Sequence, residues 1–549
     1  MGYESAGPPQ GKQAAGNRFD YDVVIVGLGP TGVTAANLLG SRGIRTLVVE
    51  RDASVYPRQR AIAIDEDALR VWQGIGLLQP LMADMSTDVT IHLHNRNRIF
   101  LSCDLNGRAR QGLPGMCFFH QPLLEQTLRD GLAQRATVEL RLGHELVSID
   151  QDEAGVTAGL RAPGQPMRLV RARYLIGCDG GASSTRKLLG IELRGRSIAE
   201  PWLDIQARAR CPHDPSARLD FNFIADPERP GADCYASSGY HRWEFRLRRD
   251  EDPNAANTPE GIRRLLAARG VDADTVDILA SWVYVFHVRQ ADRWKLGRTF
   301  LCGDAAHIMP PFAGQGISSG VRDVGNLCWK IAAVVQGTAP PSLLDTYESE
   351  RRPNVIAMTR LSLRIGAIVT VQNRMLAAGR DLACRIAARL PWLGGYIGEF
   401  RMKPDWISGP GMLARSRSFR SPAGHLLWQP WVVPAAGYRR RLDDMLGAGW
   451  TYLSWQKPGM PAHLGRLGVR EFVVHERRRS WHALPAHGIV DIDDKLRVQF
   501  RRHRARGLLV RPDRFIYGSD RDDLAIDGFT SLSAAAVGEP AAAETPYLR

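Results

Sequence analysis

One short stretch near the amino end constrains the fold more than any other. Residues 22–26 (DVVIV) form an apolar run rich in β-branched side chains, the pattern of a strand buried in a parallel sheet. Gly27-Leu28-Gly29-Pro30-Thr31-Gly32 follows at once, then a helical stretch over 33–41, then a second apolar run over 45–49 closed by Glu50. Strand, Gly-x-Gly-x-x-Gly, helix, strand and acid, within about 30 residues, predict a dinucleotide-binding βαβ unit. Gly27 permits the tight turn, Gly29 lets the backbone approach a pyrophosphate, and Gly32 allows the helix to pack closely. The helix start, with Pro30 and Thr31 in its first turn, offers unpaired N–H groups to phosphates. Glu50, with Arg51 beside it, sits where a carboxylate accepts the adenosine ribose hydroxyls.

Two later segments separate the dinucleotides. Residues 174–180 (YLIGCDG) read as a strand ending in Asp179-Gly180, which continues through Ser183 and Arg186 into a helix carrying Leu188 and Leu189. Standing alone, this would be a strand-end turn with a surface arginine. Residues 297–307 (GRTFLCGDAAH) form a strand that delivers Gly303 and Asp304 to its carboxyl end, where a carboxylate can accept ribityl hydroxyls. Pro310 and Pro311 stiffen the next turn. Gly314-Gln315-Gly316 then opens a helix holding Asn326, Leu327 and Trp329. Backbone N–H groups there can stabilise negative charge on a reduced isoalloxazine.

The second segment resembles the D-G-x-x-S-x-x-R motif of flavoprotein aromatic hydroxylases, which ties Asp179, Gly180, Ser183 and Arg186 to FAD and NAD(P)H binding. With G-D-A-A-H, P-P, G-Q-G and D-x-x-N-L-x-W-K, it makes the chain similar to class A flavoprotein aromatic monooxygenases, the p-hydroxybenzoate hydroxylase and phenol hydroxylase superfamily. Within it the likeness is to hydroxylases of 3-(3-hydroxyphenyl)propionate type. It is carried by residues 57–62 (PRQRAI), 65–70 (DEDALR), 120–122 (HQP), 241–245 (HRWEF), 347–353 (YESERRP), 442–450 (LDDMLGAGW) and 511–518 (RPDRFIYG), so it runs from about 20 to 520. The resemblance implies an adenosine-side arginine at Arg60 and a glutamine near the flavin diphosphate or ribityl chain at Gln121. It also implies the ribityl aspartate at Asp304, a cradle for flavin N1 and O2 at Gly314, Gly316 and Ile317, and a proline carbonyl facing substrate at Pro311. Gly325 departs from the alanine usual before Asn326, and a glycine inside a helix is slightly destabilising.

The family chemistry this implies is reduction of FAD by NAD(P)H, addition of O2 at flavin C4a, and transfer of OH from the hydroperoxide to a phenolic ring, ortho to its hydroxyl, giving a catechol. No second glycine fingerprint exists for a separate nicotinamide domain, which suits a shared site. Bulkier polycyclic or polyketide phenols are the alternative substrates. A FAD-dependent reductase without oxygenation, and a non-catalytic flavin-dependent interaction protein, are the alternative functions.

The expected fold is α/β and α+β: a Rossmann-like FAD-binding domain, an inserted antiparallel-sheet substrate domain and a C-terminal thioredoxin-like domain. The FAD domain takes residues 20–75, 110–195 and 288–365, after a flexible leader over 1–19. Alternating segments at 89–102, 202–208, 218–224, 240–247 and 282–288 place the substrate sheet in 76–109 and 196–287. A helical hairpin suited to a dimer interface covers 366–402, a Pro/Gly/Ser/Arg-rich linker 403–429, the thioredoxin-like domain 430–520, and a partly helical tail 521–549.

For the substrate, Arg242 is a candidate partner for a carboxylate, Phe286 and Phe312 are candidate aromatic walls, and His307 and Tyr284 are candidate proton relays. The same residues admit plainer readings: Arg242 can pair with Glu244, and His307 can hold the turn before Pro310. The formal charge of +14 favours anionic small molecules such as NADPH and carboxylated aromatics. The basic runs at 477–479 and 501–506 lack interleaved aromatics, so solvated surface, and no nucleic acid, is expected. His92 and His94 read as strand neighbours and not as metal ligands. The eight cysteines form no C-x-x-C pair and none lies beyond Cys384, a pattern of reduced thiols in a cytoplasmic protein with no dithiol chemistry in the C-terminal domain. No run suits a membrane span or a signal core.

Overall fold

The computed structural model describes residues 18–96, 98–105, 110–210, 220–235, 239–416, 418–435, 437–477 and 484–533. Most of the expected leader, the end of the tail, Cys211, and Arg478 and Arg479 of the first basic run lie outside them.

Tyr21–Val26 lies at the middle of the first sheet, with parallel neighbours Arg168–Gly177 on one side and Thr46–Glu50 on the other. Thr299–Leu301 continues the sheet beyond Arg168–Gly177, and Val138–Leu142 continues it beyond Thr46–Glu50, again in parallel. Val23, Val24 and Ile25 are buried because helices cover one face and the hairpin Glu145–Gln151 with Val156–Arg161 backs the other. Each such side chain stabilises the fold by roughly 1.5–3 kcal/mol. The parallel register has a functional consequence. The three segments singled out in the sequence are neighbouring strands, so Gly27, Glu50, Cys178 and Cys302 all emerge at one carboxyl edge, where open α/β sheets bind ligands.

Two helices converge on this edge. Pro30–Gly40 starts from the glycine turn, and Gly316–Val335 packs across it, with Gly320 close to Thr31. Gly325 has a packing reason: a Cβ there would lie 3.1 Å from Val71 Cγ2, on the helix Glu66–Gln73.

The second sheet runs His307–Ile308, Val276–Ala291, Leu193–Ala209, Tyr240–Arg246, Gly231–Tyr235, Phe221–Ile224, Thr90–Asn95, Arg98–Asp104. It is antiparallel except where Phe221–Ile224 meets Thr90–Asn95 in parallel, a departure from the wholly antiparallel expectation. Gly231–Tyr235 (GADCY) escaped the sequence reading because it holds no β-branched residue. His92 and His94 lie on the strand Thr90–Asn95.

Thr346–Val369, Arg374–Arg389 and Pro391–Gly398 are helices. The outward stripe of the second is apolar: Met375 is 85% exposed, and Leu382 and Ile386 are also exposed. No single helix among the described residues is long and apolar enough to cross a membrane.

The C-terminal sheet contains the order Ile516–Ser519, Gly507–Val510, Thr451–Trp455, Arg470–Glu476, with Gly507–Val510 antiparallel to its neighbours and the last pair parallel. That is the strand pattern of a thioredoxin-like sheet. Residues 520–533 contain no helix, contrary to the expectation for the tail. Buried ions tie this unit to the flavin domain: Arg511 donates to Glu350, which also accepts from Lys330, and Arg70 pairs with Asp443 at 2.7 Å. The segment over 403–429 is anchored as well, since Trp406 is buried under Arg322 and Arg351.

Candidate active site

A cavity of about 520 Å³ runs from the carboxyl edge of the first sheet to the roof formed by the second. Its floor is the glycine turn. Gly27 has φ +96°, and a Cβ there would meet the Cys178 carbonyl oxygen at 2.5 Å. At Gly32 a Cβ would come within 1.9 Å of the Gly27 oxygen, so the helix can seat only on glycine. Gly29 differs: a Cβ would meet nothing within 4 Å, because its outer side opens on the cavity. Gly29, Pro30 and Thr31 all line the cavity, and Gly32 lies beneath it.

At one end Glu50, Arg51 and Arg60 form the wall. Glu50 accepts from Leu28 N at 2.7 Å and from Asp52 N at 3.0 Å, which fixes the carboxylate while leaving each oxygen a second lone pair. Gln121 also lines the wall, with its amide in use: Oε1 accepts from the Arg60 and Ala61 N–H groups and Nε2 donates to Glu125. It therefore shapes the 60–61 segment, which the family likeness alone does not reveal.

The D-G-x-x-S-x-x-R residues divide. Asp179 and Gly180 line the cavity; Ser183 and Arg186 do not. Asp179 accepts from Ser183 Oγ and from Thr185 N, Ser183 Oγ caps Arg186 N at 2.9 Å, and the Arg186 guanidinium donates to the Ala305 and Gly181 carbonyls. The motif is a self-satisfied turn that holds the second strand end against the third.

Asp304 reaches the cavity from Gly303, which has φ +60° and packs on Thr31. The carboxylate is accessible from the cavity, and no protein hydrogen bond reaches it among the described residues. Burial in the surrounding protein raises its pKa. Beyond it, Pro311–Ala313 forms a tight turn, Gly314 takes φ +61°, and the helix Gly316–Val335 begins at the cavity wall. A Cβ on Gly316 would meet nothing within 4 Å, and Gln315 Nε2 is buried without a partner. Ile317 lines the wall. Pro311 does too, and its carbonyl accepts from Gly314 N at 2.8 Å, which leaves one lone pair for a further donor.

These features fit FAD. Open glycine backbone would be available to a pyrophosphate and an isoalloxazine, a carboxylate without a protein hydrogen bond to a ribityl chain, a fixed acid to a ribose, and an orphaned amide donor by the helix start to the ring.

Four expectations for the substrate end need correction. His307 is 1% exposed and does not reach the cavity. Its Nε2 lies 2.6 Å from Asp323 Oδ2, and Asp323 also accepts from Gly303 N and Arg351 Nε. It holds the turn and is no proton relay to substrate. Tyr284 also stays outside the cavity, its hydroxyl buried beside Arg242, Asp204 and Glu244, and burial raises its pKa well above the usual value. Phe286 lies behind the wall, tilted against Trp202 (5.2 Å) and edge-on to Phe312 (5.3 Å); only the latter two line it. Arg242 does line the cavity, but its guanidinium is bound by both Asp204 and Glu244, so it is no free anchor for a carboxylate. The sequence reading missed the main wall, which includes Phe118, Phe221, Phe223, Leu93 and Phe400. Phe221 and Phe223 alternate on one strand, Phe221 stacking on Phe118 at 5.6 Å, and that alternation was the available signal.

Comparison with known proteins agrees with this geometry. A family described as FAD binding domain matches residues 20–362, and one described as HcaD C-terminal domain matches 424–534. The chain is 37% identical over 514 residues to a 3-(3-hydroxy-phenyl)propionate/3-hydroxycinnamic acid hydroxylase of Mycobacterium sp. (strain JLS), covering 91% of this chain and 89% of the relative. A second protein of that name from Burkholderia vietnamiensis (strain G4 / LMG 22486) is 36% identical, with coverages of 94% and 96%. Among solved structures, aklavinone-11 hydroxylase with FAD and aklavinone superposes with TM-score 0.76 at 24% identity, covering 92% of this chain and 97% of that one, which shows the shared fold. Anhydrotetracycline hydroxylase from Streptomyces rimosus superposes with TM-score 0.71 at 26% identity, covering 91% and 95%. With full-length relatives on one side and a FAD-shaped cavity at the strand ends on the other, the chain belongs to the FAD-dependent aromatic hydroxylases of the FAD-binding-domain family.

Proposed function

We propose that the protein uses NAD(P)H and O2 to hydroxylate a phenol beside its hydroxyl, giving a catechol, and that this phenol bears an acidic side chain of the hydroxyphenylpropionate kind. The observation that supports this most is one continuous cavity, which joins the dinucleotide turn to an aromatic chamber at Pro311–Ala313, in a chain more than a third identical to arylpropionate hydroxylases. Bound there, FAD supplies the electron store and oxygen-activating chemistry that side chains lack. The chain's own part is binding and shielding. Gly29 and the helix start receive the pyrophosphate, Glu50 the ribose and Asp304 the ribityl chain. N–H groups at 314–317 stabilise negative charge on the reduced ring. Phe118, Phe221 and Phe312 hold the aromatic substrate and keep water from the reacting atoms.

One observation favours a second reading. The chamber wall is aromatic and aliphatic, and Arg242 is already shared between two carboxylates. A bulkier, neutral phenol suits that chamber, as the fold shared with the aklavinone and anhydrotetracycline hydroxylases also allows. Oxygen uptake coupled to catechol formation decides between them, measured with 3-(3-hydroxyphenyl)propionate against neutral and polycyclic phenols. Faster coupled turnover of the neutral compounds would replace the acidic substrate. NAD(P)H oxidation with no oxygenated product from any phenol would replace hydroxylation by reduction.

A further inference from the structure

In the cavity roof one guanidinium serves two carboxylates. Strand register sets Asp204 opposite Glu244 and Gln206 opposite Arg242. Arg242 closes the diagonal, 2.6 Å from Glu244 and in contact with Asp204. All three are buried, and only Arg242 and Glu244 reach the cavity. Fully ionised, two carboxylates against one guanidinium leave one negative charge in excess. The neighbours do not supply the missing cation. Arg246 on the same strand pairs with Glu200, and the Arg60 guanidinium on the facing segment stacks over Tyr56. Tyr284 and Cys234, on flanking strands, are weak acids that burial keeps protonated, and the Gln206 amide is taken by the Gln59 backbone. A buried excess charge is relieved by taking up a proton. Ortho-hydroxylation, in turn, requires a phenol to give one up, and neither His307 nor Tyr284 reaches the cavity to accept it.

Resting on the reading of this site as a phenol hydroxylase, we propose that Glu244 is the base that takes the phenol proton, with Arg242 and Asp204 as positioning residues behind it. The phenol O–H bond breaks, the proton passes to the Glu244 carboxylate, and the electron pair stays on the phenolate oxygen; no electron changes hands. Once protonated, Glu244 releases its claim on Arg242, whose N–H groups become available to the phenolate as charge-assisted donors. Burial, opposed by Arg242 and reinforced by Glu244, pushes the Asp204 carboxyl up to about 7. After hydroxylation the proton leaves through the cavity to solvent.

The test uses flavin-loaded wild type and Glu244→Gln, with 3-(3-hydroxyphenyl)propionate as probe and 2-naphthol if that phenol is not turned over. Ultraviolet difference spectra against pH report the bound phenolate. In Glu244→Gln, where no carboxylate at 244 competes for Arg242, the proton affinity of the bound phenol should fall at least tenfold, but the proton must then leave to solvent. Hydroxylation at neutral pH should fall on the order of 100-fold and recover as pH rises, with flavin content unchanged. Glu244→Asp, which keeps a carboxylate, should retain most of the activity and guards against misfolding of the glutamine variant. An unshifted phenolate titration in Glu244→Gln, or a loss equal at every pH, would overturn the proposal. A wild type that oxygenates neither phenol sinks the underlying reading instead, and that outcome is visible before any variant is made.

Discussion

The three glycines of the fingerprint should fail in two different ways when enlarged. Gly29 sits at φ −68° and ψ −178°, extended backbone open to any residue, and its Cβ direction is empty to 4 Å. Gly29→Val should therefore cost the apoprotein no more than about 1 kcal/mol, the usual loss at a helix N-cap. The valine methyls would occupy the space through which the pyrophosphate meets the helix start. Losing two charge-assisted N–H contacts, at about 1.5–3 kcal/mol each, weakens FAD by roughly 3–6 kcal/mol, or about 10²- to 10⁴-fold in Kd. Gly32→Ala is the reverse case, since its Cβ would stand 1.9 Å from the Gly27 oxygen and helix or strand must move. Overpacking of that kind costs about 1–3 kcal/mol or more before any ligand is considered. Thermal melts of both apoproteins, with FAD titrations followed by flavin fluorescence, separate the two. If Gly29→Val melts as low as Gly32→Ala, or keeps wild-type FAD affinity, the cavity floor has been assigned wrongly.

Asp304→Ala breaks no hydrogen bond within the described protein, so apoprotein stability should hold while the flavin-to-protein ratio after dialysis falls; full occupancy would refute the ribityl role. His307→Gln should lower the melting temperature through loss of the Asp323 contact and leave the pH profile of hydroxylation unmoved, whereas a moved profile would restore His307 as a relay. Arg511→Met removes one of the two cations paired with buried Glu350, Lys330 remaining, and should cost about 3 kcal/mol, the low end for a broken buried pair, in urea denaturation. Burial would raise the Glu350 pKa, but Arg511 and Lys330 more than offset it and hold the carboxyl below its ordinary 4.5. Its contribution is complete above that value and is lost as pH falls toward the depressed one, so the gap between wild type and Arg511→Met should narrow in acid. A second copy is expected to cover the apolar stripe on Arg374–Arg389, and Leu382→Asp with Ile386→Asp should turn a dimer into a monomer by light scattering; an unchanged mass would refute it.

The geometry of the proposed cofactor half was legible in the sequence because most of it is made by backbone. A glycine at 27, 29 or 32 reports a turn, an approach or a packing contact without reference to any distant residue, and parallel strands order their carboxyl ends automatically. The substrate half was not legible, and the reason is long-range pairing. Arg242 looks like an anion anchor until Asp204, 38 positions earlier in the chain, is brought across the strand pair by register. His307 looks like a relay until Asp323, Arg351 and Gly303 close around it. In both cases the side-chain type was suited to the task, and what decided the role was whether a partner had already claimed the charge. Spacing along the chain carries no information about that, since Arg70 finds Asp443 across 373 residues.

The same logic explains why the aromatic wall was missed while the sheet bearing it was found. Alternation marks Phe221 and Phe223 as sharing one face, but not whether that face meets a core or a chamber. The choice is made by the parallel pairing with Thr90–Asn95, which brings Ile91 and Leu93 alongside and extends the roof past the flavin edge. A single register shift there would turn the phenylalanines to the opposite face and leave the FAD half intact. On the proposed reading, cofactor and substrate recognition thus rest on separable parts of this chain. Substitutions at residues 91, 93, 221 and 223 should therefore exchange one aromatic substrate for another without loss of flavin, and flavin loss in such variants would show the two halves to be coupled.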